Sequence, residues 1–442
     1  MNPDSTKKTD RGLKSTFVVV SEIAKLIAEN TNGRALLVGG CVRDKLLNRG
    51  LIKDYDMEVF GVEPSTLKSL IEKHYEVNLV GDSFGVLKIK HYNIDIAIPR
   101  KERKIGDGHK AFETYSDPNM TLEEAASRRD FTINAIYFDP LDYSFKDPFG
   151  GIKDLKEKRL HIVSERFKED PLRVLRGMQF IARFGLTPTG ETISMCRSMT
   201  MEGLSRERIY DEFRKLFILG KNIGDGLAFL TATNWDSFFP GMKSAFMNWN
   251  SEKMKRVFSR YTESFGLRTF EEDIAVGFSL LTYRNTQKDD FIKMVINNNE
   301  VISTMRNIEQ SEADIFNLCN ESPTDTYGIT SVLKCAYYHK NIAPTIKYVE
   351  ALYDLDCRHI KMMASRFLVL HHPQKPYFSG KDLMKYGIKP GVKFGKILER
   401  MMIAQINLEF QSNDNAIAFF EKNREWLTSE LDDNQSSESS VK

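Results

Sequence analysis

Leu36-Leu37-Val38-Gly39-Gly40-Cys41-Val42-Arg43-Asp44-Lys45-Leu46-Leu47, followed by Lys53-Asp54-Tyr55-Asp56-Met57-Glu58-Val59-Phe60, decides how the rest of this 442-residue chain is read. The apolar run 35–38 predicts a short buried strand, and Gly39-Gly40 a sharp turn where backbone can approach a ligand. Residues 42–47 carry a helical pattern, so the glycines stand where a helix begins. Free N–H groups and the positive end of the helix dipole make that a natural place for phosphate. The second run predicts a strand holding Asp54 and Asp56. Period-2 alternation throws both carboxylates onto one face, with Tyr55 and Met57 on the other. Two converging carboxylates suit one or two Mg²⁺ ions bound together with a nucleoside triphosphate. Singly, each feature is weak: a Gly-Gly turn is commonly only a turn, and Asp-x-Asp on a surface strand is commonly only solvated.

Upstream, residues 1–12 read as a loose arm, and 15–29 as a helix with Phe17, Val20, Ile23 and Ile27 on one stripe. Downstream, a helix is predicted over 64–73 and short strands over 77–80, 86–90 and 94–98. Asp95 interrupts the last of these. A carboxylate among β-branched neighbours is costly to bury alone, so it either faces water or joins other acids. The polar stretch 100–127, with Gly106 and Gly108, predicts a long mobile loop. Then Arg128-Arg129-Asp130 leads directly into the apolar Phe131-Thr132-Ile133-Asn134-Ala135. This is either a salt-bridged helix entry or a place where guanidinium groups bind phosphate oxygens and a carboxylate takes a ribose hydroxyl.

From residue 160 the pattern is helical. Glu169-Asp170-Pro171-Leu172-Arg173-Val174-Leu175-Arg176 opens a helix with Leu172, Leu175, Met178 and Ile181 as its buried stripe. Asp170, Arg173 and Arg176 follow one another along an adjacent side. Residues 222–370 stay helical, and His371-His372 reads as a loop pair rather than a metal site, since the eight histidines show no ligand spacing. Lys+Arg and Asp+Glu total 63 and 61, a net charge of +2, so any nucleic-acid surface must come from local clustering. The five cysteines (41, 196, 319, 335, 357) show neither metal nor pairing pattern, which suits a reducing cytosol. Neither a signal-peptide core nor a membrane span is legible, so a cytoplasmic protein without membrane attachment is expected. Nothing in the sequence sets an oligomeric state.

The ordered set of strand, Gly-Gly-x-Val-Arg-Asp, helix and Asp-x-Asp strand resembles the nucleotidyltransferase superfamily with a polymerase-β-like head. Within it, the chain is similar to the class II branch of bacterial-type tRNA nucleotidyltransferases (CCA-adding enzymes) and poly(A) polymerases. Arg128–Ala135 and Glu169–Arg176 carry the same likeness. The resemblance implies an α+β architecture, a mixed-sheet catalytic head over 1–160 followed by an all-α neck (161–225), body (226–370) and tRNA-binding tail (371–428), with 429–442 disordered. It implies that Asp54 and Asp56 hold Mg²⁺, and that Asp95 completes a catalytic triad. Gly39, Gly40 and Arg43 would meet the triphosphate. Arg128, Arg129, Asp130 and Asn134 would meet phosphate and ribose. Asp170 and Arg173 would read the base, with Arg176 in support. Further implied features are a lever loop around His109, a head-to-neck hinge at Asp147–Gly151, a bracing helix after Ser205, and tail contacts from Gly380-Lys381-Asp382-Leu383. No His-Asp pair of the associated phosphohydrolase domain occurs. The implied activity is template-independent addition of CCA to the tRNA 3′ end from CTP and ATP, with release of pyrophosphate. Alternatives are a poly(A) polymerase, a CC- or A-only enzyme, or a non-catalytic RNA-binding relative. The acidic, Ser-rich 429–442 repels phosphate and favours CCA addition over polyadenylation.

Overall fold

The computed structural model describes residues 15–80, 86–104, 112–247, 249, 251–264, 267–321 and 326–429. Helix α1 (Thr16–Asn30) buries Val19, Val20, Ile23, Ala24 and Ile27 and packs along β1 (Arg34–Val38). All of β1 after Arg34 is buried, as an unbroken apolar run should be. The turn follows at once. Gly39 has φ +80°, a left-handed conformation that favours glycine, and α2 (Gly40–Leu46) starts at the next residue. β2 (Tyr55–Phe60) then alternates, with Tyr55, Met57 and Val59 buried and Asp56 exposed. Asp54 lies one residue before the strand rather than within it.

After α3 (Pro64–Glu72) come β3 (Val77–Val80), β4 (Val86–Ile89) and β5 (Ile94–Ala97). Together with β2 and β1 these make a mixed sheet in the order β3-β4-β5-β2-β1, continued by the two short strands Tyr137–Phe138 and Phe145–Lys146. β5 runs parallel to β2, and the remaining pairs of the sheet are antiparallel. One face of β1, through Leu36 and Val38, packs with Ala126, Ala135 and Tyr137.

The loop expected over 100–127 is largely a correction. β6 (Arg100–Lys104) and β7 (Phe112–Ser116) pair antiparallel, and α4 (Leu122–Ala126) follows with a capping box between Thr121 and Glu124. Arg-Lys-Glu-Arg-Lys has no apolar alternation to announce a strand. Its backbone ladder is satisfied by the partner strand instead. The expected lever residues around His109 lie outside the described residues. At the expected hinge, α5 (Gly151–Lys156) is firmly started: Asp147 accepts from the N–H groups of Gly151 and Ile152 at 2.7 and 2.9 Å. A Cβ on Gly151 would lie 2.1 Å from the Thr132 carbonyl oxygen, so this glycine serves a close approach rather than freedom of motion.

Two compact units emerge. The first holds the described residues up to Leu204 together with Asp225–Trp235; the second holds Ser205–Gly224 and the described residues from Asp236 onward. The division falls within the segment expected as neck, and α6 (Leu172–Phe184) belongs with the sheet. Its stripe Leu172, Leu175, Met178 and Ile181 is buried as the spacing predicts. The edges of Phe131, Phe167 and Phe180 meet at centroid distances of 5.3 and 5.8 Å.

The second unit is helical from Arg206–Leu219 to Arg424–Ser429, around Phe213, Phe217, Phe239, Phe278 and Phe291. Residues 378–427 add a core of their own with Phe378, Leu383, Ile397, Met401 and Phe420. The expected absence of cysteine pairing is a further correction, since Cys319 and Cys357 form a disulfide. They are 38 residues apart and meet only because the helices Asn299–Glu321 and Arg358–Arg366 pack together. Among the described residues no helix is long and apolar enough to cross a membrane.

Candidate active site

The site begins on the open face of β2. Asp56 pairs in register with Asp95 of β5, so the two carboxylates share a face, and Asp54 sits at the strand's entrance. The Gly39 turn closes over them. A Cβ there would lie 3.8 Å from an Asp56 carboxylate oxygen and 3.2 Å from Arg129 Nη1. Although Asp56 reaches solvent, the crowding of protein around its carboxyl is the largest cause raising it above its usual range. Asp95, Asp54 and Glu58 push the same way, and Arg129 opposes them. Clustered carboxylates with a backbone turn held close form the all-oxygen donor set of a hard cation site. Lys88, opposite Asp95 on β4, pairs with it at 2.5 Å.

Behind the acids lies an arginine. Arg129 donates from Nη2 to Glu58 Oε1 at 2.9 Å, and Tyr137 donates its hydroxyl to Glu58 Oε2 at 2.7 Å. Burial opposes the Arg129 charge, but Glu58 and Tyr137 outweigh it and hold the guanidinium above its ordinary value. The Nε of Arg129 is buried with no partner among the described residues. Glu58 did not figure among the sequence candidates. Its signal was present, since it extends Asp54 and Asp56 by the same step of two.

A second network joins α2 to α6. Arg43 is 4% exposed. It donates to Asp44 at 2.9 Å and to Asn134 Oδ1 at 2.6 Å, and its guanidinium lies over the rings of Phe184 and Phe180 at 4.5 and 5.3 Å. Asn134 donates in turn to Asp130 at 2.9 Å, and Asp130 also accepts from the Phe131 N–H at 2.8 Å and from Arg176 Nε at 2.7 Å. Burial alone would raise the Asp130 carboxyl. Arg176, Asn134 and the Phe131 N–H prevail and hold it below its usual range. Arg43, Asp130 and Asn134, expected at the nucleotide, are thus interior residues that spend polar groups on one another.

At the start of α6, Asp170 accepts from the Leu172 N–H at 3.1 Å. Arg173 donates to the carbonyls of Arg166 and Arg128 at 2.7 and 2.5 Å, which fixes its guanidinium through backbone alone. Arg128 in turn donates to the carbonyl of Arg100. One chain of contacts therefore runs from the β6 ribbon through Arg128 to the base of α6.

Residues 35–161 match the model of the poly A polymerase head domain. The structure is similar to that of the Bacillus stearothermophilus CCA-adding enzyme in complex with CTP, with TM-score 0.70 and 22% identity, covering 93% of this chain and 98% of that one. The fold is that of the CCA-adding enzymes. The Thermotoga maritima CCA-adding enzyme complexed with tRNA shows the same likeness, with TM-score 0.63, 20% identity and 94% and 97% coverage. Among curated proteins, the multifunctional CCA protein of Stenotrophomonas maltophilia (strain K279a) is 40% identical over 189 residues, which cover 41% of this chain and 45% of that protein. That of Nitrosococcus oceani is 42% identical over 183 residues, covering 40% and 43%. The chain thus matches a little under half the length of these relatives. Residues 35–161, matched by the head-domain model, hold the acids and the Gly-Gly turn.

Proposed function

We propose that this chain is a template-independent tRNA nucleotidyltransferase that adds CCA to the 3′ end of tRNA from CTP and ATP and releases pyrophosphate. The observation that carries this reading is the joining, within one compact unit, of the Asp56–Asp95 face to an α6 N-terminus with a fixed Arg173. The first supports transfer chemistry and the second supports selection of a base by protein side chains. The likeness to CCA-adding enzymes in fold points the same way.

In this reading Asp54 and Asp56 hold a divalent cation, Mg²⁺. Their all-oxygen donors, the mutual repulsion at Asp56 and the space left by Gly39 fit such an ion. When bound, the ion supplies positive charge for the α-phosphate and for a 3′-hydroxyl made acidic. Asp95, released from Lys88, accepts the proton of that hydroxyl. The backbone at Gly39 and Gly40 lets the triphosphate approach, and Arg128 and Arg129 supply charge to its oxygens. Asp170 accepts from the exocyclic amine of cytosine or adenine, and Arg173 donates to the ring acceptor beside it. Uracil and guanine offer the opposite pattern at that edge. Arg43, Asn134, Asp130 and Arg176 position these groups by locking α2 to α6.

The test is incubation with a tRNA ending before CCA, with CTP and ATP separately and together, and sizing of the product. Addition of two nucleotides with CTP alone and of three with both is the expected result. Addition of adenylates only would favour a poly(A) polymerase, the reading that the head-domain match alone also allows.

A further inference from the structure

In the second unit, far along the chain from the acids of the head, three side chains of different chemistry converge. Cys335 and His339 lie four residues apart on the helix Thr326–His339 and so share one of its faces. Asp314 reaches them from the neighbouring helix Asn299–Glu321. The Cys335 sulfur, a ring nitrogen of His339 and a carboxylate oxygen of Asp314 all lie within 4.8 Å of one another. His339 Nε2 is 2.7 Å from Asp314 Oδ2.

An ion pair beside a core cysteine would account for two of the three groups. It gives no reason for the sulfur to stand within the same small sphere. Thiolate, imidazole and carboxylate together form a borderline-soft set that suits Zn²⁺ and does not suit Mg²⁺ or Ca²⁺. Zinc bonds of roughly 2.0–2.3 Å require ligand atoms somewhat closer than the present spread, within reach of small side-chain rotations. Asp314 is exposed and free to make them, whereas Cys335 is buried and fixed. Access exists as well. His339 lines an open cleft with Asn307, Gln310, Tyr338 and Asn341, so an ion can arrive from solvent.

We propose that Asp314, Cys335 and His339 form a zinc site with three protein ligands and a fourth position open to water. On binding, the Cys335 thiol loses its proton to solvent, the proton that His339 Nε2 shares with Asp314 passes to Nδ1 or to solvent, and imidazole and carboxylate each turn to the metal. The site would tie the helix Thr326–His339 to its neighbour.

The experiment uses the full chain, stripped with chelator and kept free of thiol reductants. Cobalt(II) is added in the presence of excess Mg²⁺, and zinc affinity is read by competition with a chromophoric chelator. One equivalent of Co²⁺ should give a sulfur-to-cobalt charge-transfer band that Zn²⁺ abolishes. The band should vanish in Cys335→Ser and persist in Cys41→Ser, which excludes the thiol nearest Asp56. Asp314→Asn alters an exposed side chain and His339→Gln a half-buried one, and circular dichroism checks that each variant keeps the fold. Each should weaken zinc binding at least about tenfold, since even outer-shell partners of metal ligands are worth about 10–100-fold. Absence of the band in the unaltered protein overturns the proposal. So does a band or a zinc affinity indifferent to His339→Gln and Asp314→Asn.

Discussion

Arg173 is held by the carbonyl oxygens of Arg166 and Arg128, so its orientation survives without substrate. Arg173→Ala should therefore relax base choice more than it weakens triphosphate binding. Loss of one base-reading donor group should reduce discrimination by about 1–3 kcal/mol. The measurement is incorporation of UTP and GTP relative to CTP and ATP under single-turnover conditions. Unchanged exclusion of UTP and GTP would make Arg173 a structural residue. Asp56→Asn makes a sharper demand: nucleotide addition should disappear while tRNA binding and the thermal unfolding midpoint remain. Wild-type turnover at saturating Mg²⁺ would remove Asp56 from the metal site. Asp130 gives a pH signature. Its carboxyl is held below the ordinary range, so its stabilisation is present above the unfolded-state value of about 3.9 and is lost as pH falls through the folded value. Asp130→Asn should cost about 1–3 kcal/mol at neutral pH, from the unpaired donors it leaves. Urea titrations should show the gap from wild type narrowing below about pH 4. A gap independent of pH would mean that the charge of Asp130 contributes nothing.

At the scale of elements, Gly151 is the most exacting position in the start of α5. A methyl group there meets the Thr132 carbonyl at 2.1 Å, and that carbonyl belongs to the segment leading from Asp130 to Asn134. Gly151→Ala should destabilise the protein by about 1–3 kcal/mol, as overpacking does. It should also lower nucleotide affinity through the displaced segment, which denaturant titration and nucleotide binding together would show. Affinity unchanged despite lost stability would separate this turn from the site. The strands around the acids were legible because Ile94-Asp95-Ile96 and Tyr55-Asp56-Met57 alternate cleanly. The β6–β7 ribbon was not, because five charged residues in a row carry no apolar alternation. Asp54 falls one residue before the strand, whereas the open-face position of Asp56 could be read from spacing alone, and Glu58 was readable by the same rule. The network from Arg43 through Asn134 and Asp130 to Arg176 was not. Its members are up to 133 positions apart, and only the packing of α2 against α6 brings them together. For the same reason the burial of Arg43, Asp130 and Asn134 was not legible in the sequence.

The whole molecule divides into a unit with the sheet and α6, and a helical unit that closes on aromatic rings and on a disulfide. The helical class of the second unit was legible from its periodicity. Its internal pairing was not, since Cys319 and Cys357 carry no spacing signal. The central claim concerns the first unit and asks that transfer stop when the protein's own base reader is satisfied. The most direct measurement is product length with ATP alone on an RNA ending in CC. The account predicts one added adenylate and no more. A ladder of many adenylates would contradict it and place the chain with the poly(A) polymerases.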